Sequence, residues 1–265
     1  MSWGPFDLTG RSAVVTGAAM GIGFGIASRF REAGADVVVA DIDAAAADTA
    51  IERLSAVEGV GRTVAVRADV SDPASAKAAI AAAVENFGRV DILVNNAGIY
   101  PVSMLADLTP ELINRILSVN VAGVMLMTQA AAAAMATTGG GVVVNIASMD
   151  GMHPSFPGLS TYGASKGAVI AMTKHHALEL APNKIRVNAI APGGIWTEGA
   201  AASSAGGGLT EEERLAIEVA MIAKTPVGRF GTPDDIAKVA LFLASSAADY
   251  MTGETVLVDG GVLLS

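Results

Sequence analysis

No cysteine occurs among the 265 residues, which excludes disulfides, thiol nucleophiles and thiolate metal sites. The absence is compatible with a reducing compartment. Histidine is almost as scarce: His153, His175 and His176 are the three, and neither their number nor their spacing makes a metal site. No metal is expected. Basic residues are short as well, 17 against 26 acidic, giving a formal charge of -9 with no Lys/Arg cluster. Nucleic acid and anionic membranes are therefore poor partners. The first residues, M-S-W-G-P-F-D-L-T-G, lack a basic region followed by an apolar run, so no secretory signal is read and a cytoplasmic location is expected.

One long stretch, Ile116 to Met149, lacks charge altogether. Asn120, Gln129, the Gly139 to Gly141 turn and Asn145 are expected to break it into an Ala-rich helix and a Val-rich strand, each too short or too polar to span lipid. A helix apolar on nearly every face needs cover on every face, and one sheet covers one side. A partner subunit is expected there, with a homotetramer as the assembly.

What is present is 52% hydrophobic residues, enough to bury one large core, so residues 1–265 read as a single α/β domain. Ala13 to Thr16, Val37 to Ala40, Thr63 to Arg67, Ile92 to Asn95, Val142 to Ala147, Ile185 to Ile190 and Thr255 to Val258 are β-branched runs that read as seven strands. Helical segments separate the early ones, for example one capped by Asp72 with Pro73 at its first position and running to Phe87. Continuous apolar strands alternating with helices imply a doubly wound, Rossmann-type parallel sheet covered on both faces. A small-residue segment between Thr197 and Thr210, followed by a helix to about Lys224, reads as a substrate lid.

Directly after the first strand comes T-G-A-A-M-G-I-G, Thr16 to Gly23, opening the first long helix. Gly17, Gly21 and Gly23 permit a tight turn and close approach of a pyrophosphate to a helix N-terminus, whose free N–H groups favour anions. Asp41 ends the second strand eighteen positions after Gly23, near the spacing of a carboxylate that receives ribose hydroxyls. NAD is therefore expected over NADP, since no Arg or Lys stands at Met20 or Ile42 to receive a 2′-phosphate. Asp41 also has an open reading as a cap for a helix starting near Asp43.

Near the middle stand Ser148 and then S-T-Y-G-A-S-K, in which Tyr162 and Lys166 lie one helical turn apart. A free phenol is roughly 0.1% ionised at neutral pH, and a neighbouring ammonium favours the anion. The spacing alone is one that chance also produces.

Together these segments resemble the short-chain dehydrogenase/reductase family over essentially the whole chain: T-G-A-A-M-G-I-G from Thr16, N-N-A-G from Asn95 to Gly98, Y-G-A-S-K from Tyr162, P-G-x-x-x-T from Pro192 and D-G-G from Asp259. The resemblance implies a nicotinamide cofactor held along Gly17, Met20, Gly21, Ile22 and Gly23, at Asp41 and Ile42, and at Asp69 and Val70. It continues along Asn96, Ala97 and Gly98, at Tyr162 and Lys166, and along Pro192, Gly193, Ile195 and Thr197. It also implies a metal-free mechanism. Tyr162 takes or gives the substrate proton, Ser148 donates a hydrogen bond to the substrate oxygen, Lys166 holds the nicotinamide ribose and lowers the phenol pKa, and Asn120 holds a water that links Lys166 to bulk. Asn95 reads as an organiser of the central strands. One departure is visible: fourteen positions separate Ser148 from Tyr162, one more than is common in the family, so the intervening loop bulges.

That loop, and Gly193 to Thr210, contain no Arg or Lys to clamp a phosphate or carboxylate, so a neutral secondary alcohol or ketone is the expected substrate. Asp150, His153, Tyr100 and Trp196 join Ser148 as candidate substrate contacts. A 3-oxoacyl-thioester reductase is the enzymatic alternative, and a non-catalytic NAD-binding regulator the alternative of another class.

Overall fold

The computed structural model describes residues 3–57, 59–197 and 210–265. Seven strands, β1 (Ser12–Thr16), β2 (Asp36–Asp41), β3 (Thr63–Arg67), β4 (Ile92–Asn95), β5 (Gly141–Ile146), β6 (Ile185–Pro192) and β7 (Thr255–Val258), form one sheet in the order β3-β2-β1-β4-β5-β6-β7. Every pairing is parallel. The strands run one to two residues beyond several of the sequence-read ends, Pro192 closing β6.

Strand side chains alternate between two apolar layers, as a period of two requires. Val15, Val37, Val39, Val94 and Val144 face α1 (Gly21–Glu32) and α2 (Ala44–Ser55), with Phe30 and Leu54 as their large buried partners. Val14, Val38, Leu93, Val143 and Val187 face α3 (Pro73–Phe87) and α5 (Gly123–Thr138) through Ile80, Met127 and Met135. A further layer joins α5 to α6 (Ser160–Leu180) through Val124, Val169 and Met172. Asp72 caps α3 as its sequence implies, accepting from the Ala74 and Ser75 N–H groups with Pro73 at the first position.

The uncharged stretch differs from its expectation. Asn120 and Gln129 do not interrupt it: α4 (Pro110–Leu117), a π-helical turn at Ser118–Ala122 and α5 form one continuous helix over Pro110–Thr138, which Gly139 ends in the left-handed conformation. By length and composition this helix is long and apolar enough to cross a membrane, contrary to the expectation from its polar residues. Met127, Ala131 and Met135 nevertheless lie in the core beneath the sheet, which makes it the core helix of a folded domain. Of the expected lid, residues 198–209 lie outside the described residues. Its C-terminal part is the helix α7 (Glu211–Ala223), opened by a reciprocal cap between Thr210 and Glu213. The last long helix is α8 (Pro233–Ala244).

The strand order reverses between β1 and β4, so the carboxyl ends of those strands flank a crevice where open α/β sheets bind ligands. Thr16 and Asn95 stand at those two ends.

Candidate active site

The turn after β1 is shaped by what its glycines lack. Gly17 and Gly21 have φ of +61° and +57°, and a Cβ on Gly17 would stand 2.9 Å from the Ala97 Cα. A Cβ on Gly23 would overlap the Gly17 carbonyl oxygen. The N-cap of α1 is Met20, whose side chain makes no cap bond, and no acidic residue stands in the first turn. Free N–H groups at the positive end of a helix, in a cradle that any side chain would fill, fit a pyrophosphate.

Neighbouring residues hold the cradle. The Asn96 amide donates to the Thr16 and Gly17 carbonyls, each at 2.9 Å, and the Thr16 hydroxyl accepts from the Asn96 and Ala97 N–H groups at 3.0 Å. Asn96 thereby spends both amide hydrogens on the turn itself. Thr197, the last described residue before α7, approaches Gly21 closely enough that a Cβ there would lie 3.4 Å from its side chain. Gly193 packs on Asp259, and Ile195 pairs with Gly231. The P-G-x-x-x-T segment therefore runs from the D-G-G close back to the glycine turn.

Asp41 accepts from the Ala19 N–H at 3.1 Å and from the Asp43 N–H at 3.2 Å, so it braces the same turn. The cap of α2 is Asp43, which accepts from Ala46. Met20 and Ile42, both exposed, flank Asp41. Arg67 is in register with Asp41 on the adjacent strand and is exposed, a basic neighbour that a search limited to Met20 and Ile42 missed. The Asp69 carboxylate accepts from the Ser71 hydroxyl at 2.6 Å and N–H at 2.9 Å, which holds its pKa below the usual carboxylate range. Val70 packs against Gly123, tying this corner to α5.

Ser148, Tyr162 and Lys166 converge at the end of β5. Ser148 follows that strand, is 6% exposed, and caps the short turn Met149–Gly151 by accepting from the Asp150 N–H at 3.1 Å. Its side chain also hydrogen-bonds the Tyr162 phenol. Tyr162 and Lys166 share a face of α6, with Nζ 5.7 Å from the ring centroid, and the ammonium donates to the Ile146 carbonyl at 2.7 Å. Tyr100 meets the Tyr162 ring edge-on at 5.9 Å.

Asn120 is fully buried in the π-helical turn. Its amide donates to the Ile99 carbonyl at 2.8 Å and to the Ser165 hydroxyl at 3.0 Å, and its carbonyl accepts from the Ile99 N–H at 2.9 Å. With both amide hydrogens spent, the side chain clamps the segment after β4 that carries Gly98 and Ile99 to the helix that carries Tyr162. A π-helical turn of this kind recurs at functional sites. Ser165, unremarked in the sequence, completes the clamp by donating to the Tyr162 carbonyl at 2.7 Å; a serine three positions along the helix was the available signal. A Cβ on Gly98 would lie 3.3 Å from the Asn120 carbonyl and 3.5 Å from Lys166 Nζ, so the N-N-A-G segment closes this side of the site.

The electrostatics run against the simplest expectation. Burial pushes the Tyr162 phenol up to about 12, with Asp150 and Tyr100 adding to the rise and the Ser148 hydrogen bond opposing it. Burial also lowers the Lys166 ammonium to about 8. Desolvation outweighs the mutual help of phenol and ammonium, so the phenol is held as a proton donor at neutral pH. A depressed lysine pKa also makes stability depend on pH. The unfolded group titrates near 10.5 and the folded one near 8, so the unfolded chain binds more protons between these values and stability rises with pH across that window. The stability deficit below pH 8 is on the order of 3 kcal/mol from the shift alone. Denaturation of the wild type and Lys166→Met at pH 7 and pH 10 should show the wild type gaining on the variant as pH rises. A constant difference would mean that Lys166 is not buried as an ammonium. The Tyr162 shift has the opposite sign but acts only above pH 10, where the unfolded phenol begins to ionise.

The remaining candidate contacts are divided. Asp150 lies beside Ser148, and Tyr100 on Tyr162. His153 instead turns its Nδ1 toward the Pro154 carbonyl at 3.1 Å, within its own loop. Trp196 is half-exposed and packs on Phe230 at 6.1 Å. The loop and the start of α6 enclose a hollow of about 580 Å³ walled by Asp150, Met152, His153, Phe156 and Gly163 among others. Asn95 donates to Thr128 and Asn145 within the core, which makes it an organiser of the central strands. Among the described residues no group of three or more His, Asp or Glu side chains gathers to hold a metal.

Comparison with known proteins agrees with this architecture. A family model described as enoyl-(acyl carrier protein) reductase matches residues 17–263. Among curated relatives, the galactitol 2-dehydrogenase of Agrobacterium fabrum is 40% identical over 97% of this chain and 99% of its own. The 3-oxoacyl-acyl-carrier-protein reductase of Thermotoga maritima is 35% identical over 97% and 99%. Among solved structures, a 7α-hydroxysteroid dehydrogenase complexed with NADH and 7-oxo glycochenodeoxycholic acid is 36% identical, with a TM-score of 0.88 over 97% of this chain and 96% of that one. A gluconate 5-dehydrogenase from Burkholderia cenocepacia in complex with NADP and tartrate is 34% identical, with a TM-score of 0.87 over 98% of each. Matches that span nearly the full length, in sequence and in fold alike, leave one assignment: the chain belongs to the short-chain dehydrogenase/reductase family of oxidoreductases.

Proposed function

We propose that this oxidoreductase interconverts a neutral secondary alcohol and its ketone with NAD as the preferred cofactor, using Ser148, Tyr162 and Lys166 without a metal. The observation that carries the reading is the convergence of the three side chains at the end of β5, beside the glycine turn. A bound nicotinamide supplies the hydride acceptor or donor. The protein does the rest. Ser148 donates a hydrogen bond to the substrate oxygen, a preorganised dipole aimed where charge develops. Tyr162 exchanges a proton with the same oxygen. Lys166 orients the cofactor ribose and stabilises the phenolate whenever Tyr162 gives up its proton, and Asn120 fixes the spacing between Gly98 and α6 that brings these groups together. Galactitol, named for one relative, is a neutral polyol, which supports a neutral substrate. The acyl-thioester alternative has support of its own in the carrier-protein reductase among the relatives.

The NAD preference rests on the charge of Asp41, which opposes a 2′-phosphate. Arg67 alongside it limits that preference. Asp41→Ser is expected to raise kcat/KM with NADP by at least 10-fold while lowering it with NAD, and Arg67→Ala in that background should reverse the NADP gain. Rates for secondary alcohols, ketones and a 3-oxoacyl thioester with each of the four nicotinamide forms provide the test. Wild-type enzyme that prefers NADPH and the thioester would replace this reading with the reductase one. A homotetramer in the cytoplasm completes the proposal. Its support is the uncharged helix α5, whose Leu126, Ala130 and Ala134 line an apolar groove against α3.

A further inference from the structure

Between Ser148 and Tyr162 the chain places a carboxylate that proton and hydride transfer do not use. Two close approaches seat it. A Cβ on Gly151 would stand 2.7 Å from the Lys166 carbonyl carbon, and one on Gly163 would stand 2.9 Å from the Asp150 carbonyl oxygen. Only glycine at both positions lets this turn lie directly on α6, one residue from Tyr162. Asp150 Oδ1 is then fully engaged, accepting from the Ser155 N–H at 3.0 Å and the Ser155 hydroxyl at 2.6 Å. Oδ2 faces the catalytic hydroxyl, 3.4 Å from Ser148 Oγ, at the outer limit of a hydrogen bond. Its accepting capacity is largely unspent. No cation neutralises it: Asp150 has no ion pair among the described residues, and no Lys or Arg occurs from Met149 to Thr161.

An anionic acceptor beside the group that holds the substrate oxygen is a recognition element for a second donor on that substrate. We propose that Asp150 selects the substrate, its Oδ2 accepting a hydrogen bond from a hydroxyl on the carbon next to the reacting one, so that the site takes vicinal diols and α-hydroxyketones. This rests on the catalytic roles given above to Ser148 and Tyr162. The physical reason for discrimination is that a plain alcohol would strip water from the carboxylate and return no donor, whereas a hydroxyl repays the loss with a charge-assisted bond. A carboxylate or phosphate at that carbon would meet uncompensated like charge.

The test compares 2,3-butanediol with 2-butanol, and acetoin with butanone, on the wild type, Asp150→Asn and Tyr162→Phe with saturating cofactor. Asn keeps an acceptor for Ser155 and removes the charge, so the turn is retained; melting temperature and near-ultraviolet circular dichroism check this. The wild type should favour the hydroxylated member of each pair, and Asp150→Asn should shrink that preference roughly 10- to 100-fold, mainly through KM, the worth of one hydrogen bond to a charged group. The groups facing the Tyr162 phenol are Asp150, Ser148 and Tyr100 from neighbouring segments and Lys166 on its own helix. Removing the Asp150 charge therefore also moves the pH profile toward acid, equally for both members of a pair. Preferences are therefore taken as the ratio of the two members of a pair at one pH, in which that effect cancels. A wild type without preference, or an Asp150→Asn that lowers both members by the same factor, overturns the assignment of Asp150. A Tyr162→Phe that turns over undiminished overturns the catalytic reading beneath it instead.

Discussion

Tyr162→Phe is expected to lower kcat in both reaction directions by about 10²- to 10⁴-fold, the range of a lost general acid–base group, while the melting temperature stays near wild type. The substitution removes one oxygen. The ring keeps its edge-on contact with Tyr100 at 5.9 Å and its place on α6, and the backbone carbonyl that Ser165 grips is unchanged. On the proposed mechanism, what disappears is the proton donor to the ketone oxygen, a phenol that stays protonated at neutral pH because burial holds its pKa up at about 12. Ser148 survives, so the variant still polarises the carbonyl. The residual rate then measures what Ser148 and positioning contribute. The pH dependence gives a second readout. On that mechanism oxidation needs the phenol to accept a proton, so the wild-type rate is expected to climb from pH 7 toward pH 10 and the climb to vanish in the Phe variant. Equal pH profiles for the two proteins would remove Tyr162 from the proton path.

Most of this site was legible in the sequence because its groups are fixed by local rules. The glycine turn follows from the space left between strand and helix, and Tyr162 to Lys166 from the helical period. Strand pairing was equally readable, since parallel strands buried on both faces carry unbroken apolar runs. Three things were not legible, each for a tertiary reason. The sign of the Tyr162 shift depends on how much protein covers the phenol, which four-residue spacing does not encode. The saturation of Asn120 depends on Ile99 and Ser165 arriving from two other segments, and its π-helical turn has no propensity signature. The α4–α5 helix ran through its polar residues because Asn120 finds partners inside the fold, so a buried asparagine there is no helix stop.

Asp91→Ala separates fold from chemistry, because Asp91 stands at the opposite end of the sheet from Tyr162. It precedes β4 and is 1% exposed, bridging β4 to β1: Oδ2 accepts from the Ser12 N–H at 2.9 Å and from Arg89 Nε at 2.7 Å, and Oδ1 from Arg11 at 3.4 Å. Alanine leaves the Ser12 N–H buried without a partner and opens a small void. Arg11 and Arg89 are 56% and 40% exposed, so their charges turn to water and are not stranded. The cost therefore falls below that of breaking a fully buried pair, at about 2–4 kcal/mol. For a chain of this size that is a fall in melting temperature of roughly 4–16 °C. Turnover at 25 °C should be unchanged, since the Ser12 and Asp91 ends of the strands are remote from the Thr16 and Asn95 ends that flank the crevice. Asp91→Asn keeps an acceptor for Ser12 and should recover at least half of the loss. If Asn and Ala melt together, the Ser12 bond is not the element that holds β1 to β4. If kcat falls in step with stability, the two ends of the sheet are coupled.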